Sequence, residues 1–201
     1  MSHVIAIANQ KGGVGKTTTA INLGAALAVA EKKTLVIDID PQGNATSGLG
    51  VEVRRSRPTI YSVLIGRSTL PDAVLEPVHF PCLGVVPSTR DLVGAEIELV
   101  SAFGRETILR NALEDVREGY DFILVDCPPS LGLLTLNTLT AADSVLIPIQ
   151  CEFYALEGLS QLLNTVRLVQ KGLNPALEIE GVLLTMYDKR LNLSRQVAEE
   201  A

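Results

Sequence analysis

The chain has no tryptophan, and its aromatic rings are limited to four phenylalanines and four tyrosines among 201 residues. So sparse a set excludes the stacking platforms on which single-stranded nucleic-acid binders lay successive bases. Cysteine occurs three times, at Cys82, Cys127 and Cys151. An odd, widely spaced set supports neither a disulfide framework nor a CxxC metal knuckle, and each lies in or beside an apolar run, where a small buried hydrophobe is the ordinary reading. Two histidines, His3 and His79, are too few and too distant for a metal site. Basic excess is missing too: 17 Lys and Arg stand against 23 Asp and Glu, a formal net charge of −6. That excludes a globally basic nucleic-acid binder but leaves room for a local basic patch. No run of about 18 uncharged apolar residues occurs, so no spanning helix is expected. The N-terminal residues pass straight into Val4-Ile5-Ala6-Ile7-Ala8 without a basic region or cleavage site, so a cytoplasmic location is expected.

What is present is a large apolar share, 47% of residues, enough for a well-buried core and too much for a disordered chain. Short apolar runs rich in Val and Ile recur at residues 4–8, 35–39, 83–86, 122–125, 145–149 and 182–186. They lack polar alternation, as strands buried on both faces of a parallel sheet do. Between them lie helical stripes, one of Ile108, Leu109, Ala112, Leu113 and Val116, another of Leu156, Leu159, Leu163 and Val166. The alternation predicts an α/β fold, a doubly wound, mostly parallel β-sheet flanked by helices, forming a single domain over residues 1–201. Residues 50–81, with Arg54, Arg55, Arg57 and Pro58, are the least regular stretch and read as a surface excursion after the second strand. From Leu191 an amphipathic pattern runs to the last residue without a Gly or Pro stop, so the chain is expected to be truncated.

After the first strand comes Asn9-Gln10-Lys11-Gly12-Gly13-Val14-Gly15-Lys16-Thr17-Thr18-Thr19, then a helix-compatible run. Small residues let the backbone wrap tightly, so that successive N–H groups point at phosphate oxygens. Lys16 supplies a positive charge toward the β and γ phosphates, and the Thr17 hydroxyl suits Mg²⁺. The strict GxxxxGK[ST] pattern fails at its first glycine, which falls on Gln10; a second lysine, Lys11, stands at the start of the loop instead. A Gly-rich turn that merely joins strand to helix is the plain alternative. The context of buried strand, loop and helix favours nucleotide binding.

Two further strands end in carboxylates, Asp38-Ile39-Asp40-Pro41-Gln42-Gly43-Asn44 and Asp126-Cys127-Pro128-Pro129. Ligands of open α/β sheets bind at the carboxyl edge, so both ends converge on the loop. Asp126 reads as the carboxylate that holds Mg²⁺ through a water, and Asp40 as the group that orients the attacking water and reaches the metal shell through water. A turn aspartate is the plain alternative for each. Asp38 has two readings, a contact to the metal shell or a brace for the loop.

Lys11-Gly12-Gly13-Val14-Gly15-Lys16-Thr17, Asp38-Ile39-Asp40-Pro41-Gln42-Gly43-Asn44-Ala45-Thr46 and Asp126-Cys127-Pro128-Pro129-Ser130 resemble the deviant-Walker ATPases. Gly94-Ala95-Glu96-Ile97-Glu98-Leu99 and Gln150-Cys151-Glu152-Phe153-Tyr154-Ala155-Leu156-Glu157-Gly158-Leu159 match the ParA/Soj partition branch. The resemblance covers essentially the whole chain. It implies a DNA-segregation ATPase with ATP and Mg²⁺ as cofactors and Lys11, Gly12, Gly13, Val14, Gly15, Lys16, Thr17 and Thr18 around ATP. Lys11 would be the signature lysine, reaching the phosphates of a second subunit in an ATP-dependent homodimer, with Lys16 and Asp40 as its catalytic companions. Two facing triphosphates concentrate negative charge, and a lysine from each subunit offsets it. Gly12 would let the two loops approach closely.

The resemblance further implies non-specific double-stranded DNA binding by the ATP dimer at the nucleoid, and hydrolysis stimulated by a ParB/Spo0J-like centromere-binding protein through a basic segment. Candidate DNA contacts are Lys189, Arg190 and Arg195, which dimerisation would double. The family pattern continues past Ala201 with a Pro-Arg-Asn stretch at adenine and a closing helix. The alternative from a different class is a MinD-like positioning ATPase, which ends in a lipid-binding helix; no membrane contact is expected here. An iron–sulfur relative like the nitrogenase iron protein lacks a second suitably placed cysteine. A biosynthetic ligase with the same loop needs a small-molecule pocket that the sequence does not identify.

Overall fold

A computed structural model of the chain describes residues 2–152 and 155–200. Phe153 and Tyr154 of the family-like stretch, and Ala201 at the end of the C-terminal pattern, lie outside the described residues. The strands are β1 (His3–Ile7), β2 (Thr34–Asp38), β3 (Leu83–Val86), β4 (Phe122–Asp126), β5 (Ser144–Gln150) and β6 (Glu178–Thr185). They form one sheet in the order β3-β2-β4-β1-β5-β6, every pairing parallel. The chain winds outward from β1 to β3, returns to β4 beside β1, and then crosses to β5 and β6. The strand order therefore reverses next to β1, which opens a crevice at the carboxyl edge there.

The helices are α1 (Lys16–Val29), α2 (Asn44–Gly48), α3 (Ile60–Leu64), α4 (Leu70–Ala73), α5 (Leu92–Glu98), α6 (Ile108–Glu114), α7 (Leu133–Ala141), α8 (Ala155–Gly172) and α9 (Asn192–Glu200). Alternation along β1 divides the core. Ile5 and Ile7 pack with Ala20 and Ala28 of α1, while Val4 and Ala6 face the larger cluster that takes Leu109, Leu134, Leu162 and Val166 from α6, α7 and α8. Helices on both faces explain why β2 is buried at every position and reads as an unbroken apolar run. The doubly wound expectation holds.

Two expectations are corrected. Residues 50–81 are not merely a surface excursion: Ile60, Leu64 and Leu70 are buried in the main core, and α3 packs against α4, α5 and α6. Leu75 there forms an antiparallel bridge to Val85, which blunts an otherwise open strand edge. The sixth strand begins at Glu178, earlier than residue 182, and is not buried on both faces. It is an edge strand whose first residues alternate charged and apolar (Glu178, Ile179, Glu180), so an apolar-run criterion misses its start. Val116 of the expected stripe lies just past α6, yet it is buried.

Helix α1 lies close on the sheet at Gly24, where a Cβ would sit 2.7 Å from Val36 Cγ2. Val36 is fully buried and β-branched, so it has little freedom to yield. Gly24→Val is therefore expected to destabilise the fold by about 1–3 kcal/mol through overpacking. Urea unfolding followed by circular dichroism measures this as a lowered midpoint with an unchanged slope.

Candidate active site

The segment between β1 and α1 turns sharply because Gly13 and Gly15 adopt φ of 77° and 91°, left-handed values that other residues reach only with strain. Side chains pin it from both sides. Asn9, at the strand end, donates from Nδ2 to the Pro148 carbonyl at 2.8 Å and accepts the Lys11 N–H on Oδ1 at 3.0 Å. Thr185, the last residue of β6, holds its hydroxyl 2.8 Å from the Val14 carbonyl. Neither pin is evident from the motif. Asn9 was visible only as a polar residue at a strand end, and Thr185 gave no signal because it is distant in sequence.

Gly12, Gly13, Gly15, Lys16, Thr17, Thr18 and Asp40 share one cavity of about 410 Å³ with Gln42, Asn44 and Pro129. The cavity lies at the N-terminus of α1, where unpaired N–H groups and the helix dipole favour an anion. Lys16 opens the helix and is buried, and its Nζ donates to the Lys11 carbonyl at 2.9 Å. Burial lowers its pKa, against the opposing charges of Asp126, Cys127 and Asp40. A dianionic group in the cavity would restore the balance for that ammonium.

Asp126 lies fully buried at the end of β4, level with Ile7 on one neighbouring strand and Asp38 on the other. Neither carboxylate oxygen has a hydrogen-bond partner among the described residues. Burial pushes its pKa up to about 7; the nearby Thr17 hydroxyl, outside hydrogen-bonding geometry, opposes the rise, while Asp38 and Asp40 add to it. A buried carboxylate without a donor is strongly disfavoured as the anion. A hydrated divalent cation beside Thr17 supplies what it lacks, so these residues fit Mg²⁺. Among the described residues no three His, Cys, Asp or Glu side chains form a metal cage, in keeping with an ion that takes most of its ligands from water and phosphate.

Of the two readings of Asp38, the geometry favours the brace. Its Oδ1 accepts the Asp40 N–H at 3.1 Å, and Oδ2 accepts both the N–H and the hydroxyl of Thr46, at 2.8 and 2.7 Å. The Thr46 oxygen in turn accepts the Ser88 N–H at 2.9 Å. Burial raises the Asp38 pKa and these hydrogen bonds oppose the rise. The network sets the position of Asp40, whose Oδ1 accepts the Gln42 N–H at 2.9 Å.

Other expected residues are not brought to this cavity. Val14 turns into the core. The Lys11 ammonium pairs with Glu152 Oε1 at 2.5 Å and faces a second, more polar cavity shared with Gln10 and Glu157. Lys189 and Arg190 sit on the exposed turn before α9, and Arg195 on α9 itself. The Arg190 guanidinium is paired with Asp188 and that of Arg195 donates to Asn192 Oδ1.

A family model described as an AAA domain matches residues 2–179. Over 200 residues the chain is 60% identical to the sporulation initiation inhibitor protein Soj of Bacillus subtilis, spanning 100% of this chain and 79% of that protein. It is 58% identical to the chromosome partitioning protein ParA of Myxococcus xanthus, spanning 100% of this chain and 70% of that one. The chain belongs to the ParA/Soj family of ATPases. Among solved structures, this ParA/Soj chain matches a Mycobacterium smegmatis protein described as cobyrinic acid a,c-diamide synthase with bound ADP and magnesium, with a TM-score of 0.93, 42% identity and coverage of 100% and 81%. A plasmid partition protein from Borrelia burgdorferi matches with a TM-score of 0.86, 29% identity and coverage of 99% and 84%.

Thr46→Val removes one donor to a buried carboxylate and the acceptor for Ser88, so stability is expected to fall by about 1–3 kcal/mol. Denaturant titration checks the loss, and Thr46→Ser, which keeps the hydroxyl, is expected to recover most of it.

Proposed function

We propose that the chain is a partition ATPase that binds ATP with Mg²⁺ in the cavity over α1, forms a homodimer across two bound nucleotides, and in that state holds double-stranded DNA without sequence preference. A ParB/Spo0J-like partner accelerates hydrolysis and so releases the dimer. The reading is carried by one observation: Lys16, Thr17 and Asp40 line a single cavity, and near them lies the buried Asp126, whose oxygens have no hydrogen-bond partner among the described residues. The nucleotide and magnesium of the M. smegmatis structure and the partition names of the relatives support it.

In this reading the loop N–H groups and Lys16 bind the triphosphate and stabilise the charge that develops on the transferred phosphoryl group. Thr17 would hold the metal directly, and Asp126 and Asp40 would hold it through water. Mg²⁺, when bound, offsets charge on the β and γ phosphates. Asp40, braced through Asp38 and its bond from Gln42, orients the water that attacks the γ phosphorus, and ADP leaves. Lys11 leaves Glu152 and turns to the second subunit's phosphates. Lys189, Arg190 and Arg195 form a basic strip that dimerisation doubles, and an acidic chain can still bind phosphates there by releasing counterions. Among the described residues no helix is long and apolar enough to cross a membrane, and no observation favours the MinD-like reading.

Lys16→Ala is expected to abolish binding of a fluorescent ATP analogue. Asp40→Ala is expected to keep nucleotide affinity within a few-fold while turnover falls by about 10²–10³-fold; loss of binding in that variant would refute the assigned role. The partition reading is tested by the ATPase rate with double-stranded DNA and a basic peptide from a ParB-type partner, added separately and together. Synergy between the two is the expected result, and rates that are merely additive would count against it.

A further inference from the structure

Glycine gives the phosphate loop its tight path, and it also makes the path easy to lose. A peptide plane next to glycine turns over with little steric penalty. Turning one over replaces an N–H aimed at an anion with a carbonyl aimed at it. Because a trans peptide is planar, its C=O and N–H point in opposite directions. Whatever holds the Val14 carbonyl therefore aims the Gly15 N–H.

That carbonyl is held from the far edge of the sheet. Thr185 ends β6 level with Gln150 of β5. Its hydroxyl lies 2.8 Å from the Val14 carbonyl, with the Ile149 carbonyl at 3.0 Å as a second acceptor for the same proton. Its methyl group closes on the loop as well, since a Cβ at Gly15 would stand 3.3 Å from Thr185 Cγ2. The following plane is held from α1: the Gly15 carbonyl accepts the N–H and the hydroxyl of Thr19, at 2.8 and 2.7 Å. No backbone carbonyl among the described residues accepts the Gly15 N–H, and Gly15 lines the phosphate cavity. We infer that Thr185 is a positioning residue for polyphosphate: by holding the Val14 carbonyl it turns the Gly15 N–H into the cavity as a fixed donor.

A donor fixed before the ligand arrives does not lose freedom when the ligand binds, so it contributes more to affinity than a mobile one. The contact also ties an edge strand, 171 residues away in sequence, to the strength of phosphate binding. A rival role exists for the same side chain. Thr185 lines an apolar cleft of about 620 Å³ with Leu23, Leu146 and Leu183, next to the loop, from which it would touch another part of a nucleotide. The hydroxyl favours the positioning role, because its single proton is already engaged by the two carbonyls. The inference rests on the reading of the phosphate cavity as a nucleotide site.

The test is competition against a fluorescent ATP analogue by ATP and by inorganic tripolyphosphate, each with Mg²⁺. Thr185→Val keeps the shape of the side chain and removes the hydroxyl, and it is expected to weaken both competitors alike, by about five- to tenfold. Thr185→Ser keeps the hydroxyl and is expected to bind both as the wild type does. A role in folding stability alone would lower the number of competent sites and leave their affinity unchanged, so the stoichiometry is titrated alongside. Unchanged affinity for both competitors in Thr185→Val would overturn the inference and leave the nucleotide reading standing. Weakening of ATP without tripolyphosphate would overturn it as well, by assigning Thr185 to the nucleoside. So would a loss in Thr185→Ser equal to that expected of Thr185→Val, which would give the effect to the methyl group on Gly15; this variant keeps the test decisive if Thr185→Val folds poorly. A wild-type protein that binds neither the analogue nor tripolyphosphate would remove the nucleotide reading and the inference with it.

Discussion

A carboxylate buried without a donor sits at the centre of this molecule. Asp126 ends a strand in the middle of the sheet, where helices on both faces keep water out and no described side chain or backbone N–H satisfies it. Such a group is tolerated in a fold when a ligand completes it. The loop after β1 is built around the same deficit with the opposite sign: a buried lysine whose one hydrogen-bond acceptor among the described residues is a loop carbonyl. Together they leave a site that is incomplete until a metal and a polyanion enter as a pair.

The parallel sheet makes that arrangement possible. Because β1, β4 and β2 are adjacent and in register, Ile7, Asp126 and Asp38 stand side by side, and every functional segment leaves the sheet from the same edge. Asp38 then acts through hydrogen bonds: it ties Thr46 and the Asp40 backbone together and so converts a flexible turn into a fixed position for Asp40. Lys11 is the member of the loop held elsewhere, by Glu152 at the end of β5. Any role for Lys11 across a subunit boundary requires that ion pair to open. The pair is half-exposed, and an ion pair in reach of solvent contributes only about 1 kcal/mol, so a triphosphate facing it is a sufficient competitor.

Much of this was legible in the residues because the controlling features are local. Unbroken Val and Ile runs marked the central strands, whose two faces are both covered, and the glycines ahead of Lys16 marked a tightly wrapping loop. The first residues of the edge strand β6 escaped because one of its faces is open and its charged residues break the apolar run. Thr185 and Glu152 escaped for a different reason: their contacts with the loop span 171 and 141 residues, and no local pattern encodes a contact of that range. The sequence offered Asp40 as the water-orienting group and left Asp38 with two readings. The contacts of Asp38 with Thr46, eight residues on, and with the Asp40 N–H decide for the brace.

The claim that Asp126 and the loop form one metal-dependent site is tested most directly by calorimetry. Binding of a nonhydrolysable ATP analogue would be titrated at rising Mg²⁺ concentrations for the wild-type protein and Asp126→Asn. Affinity that climbs with Mg²⁺ in the wild type and hardly changes in the variant is the result predicted. An identical Mg²⁺ dependence in the two proteins would contradict the account.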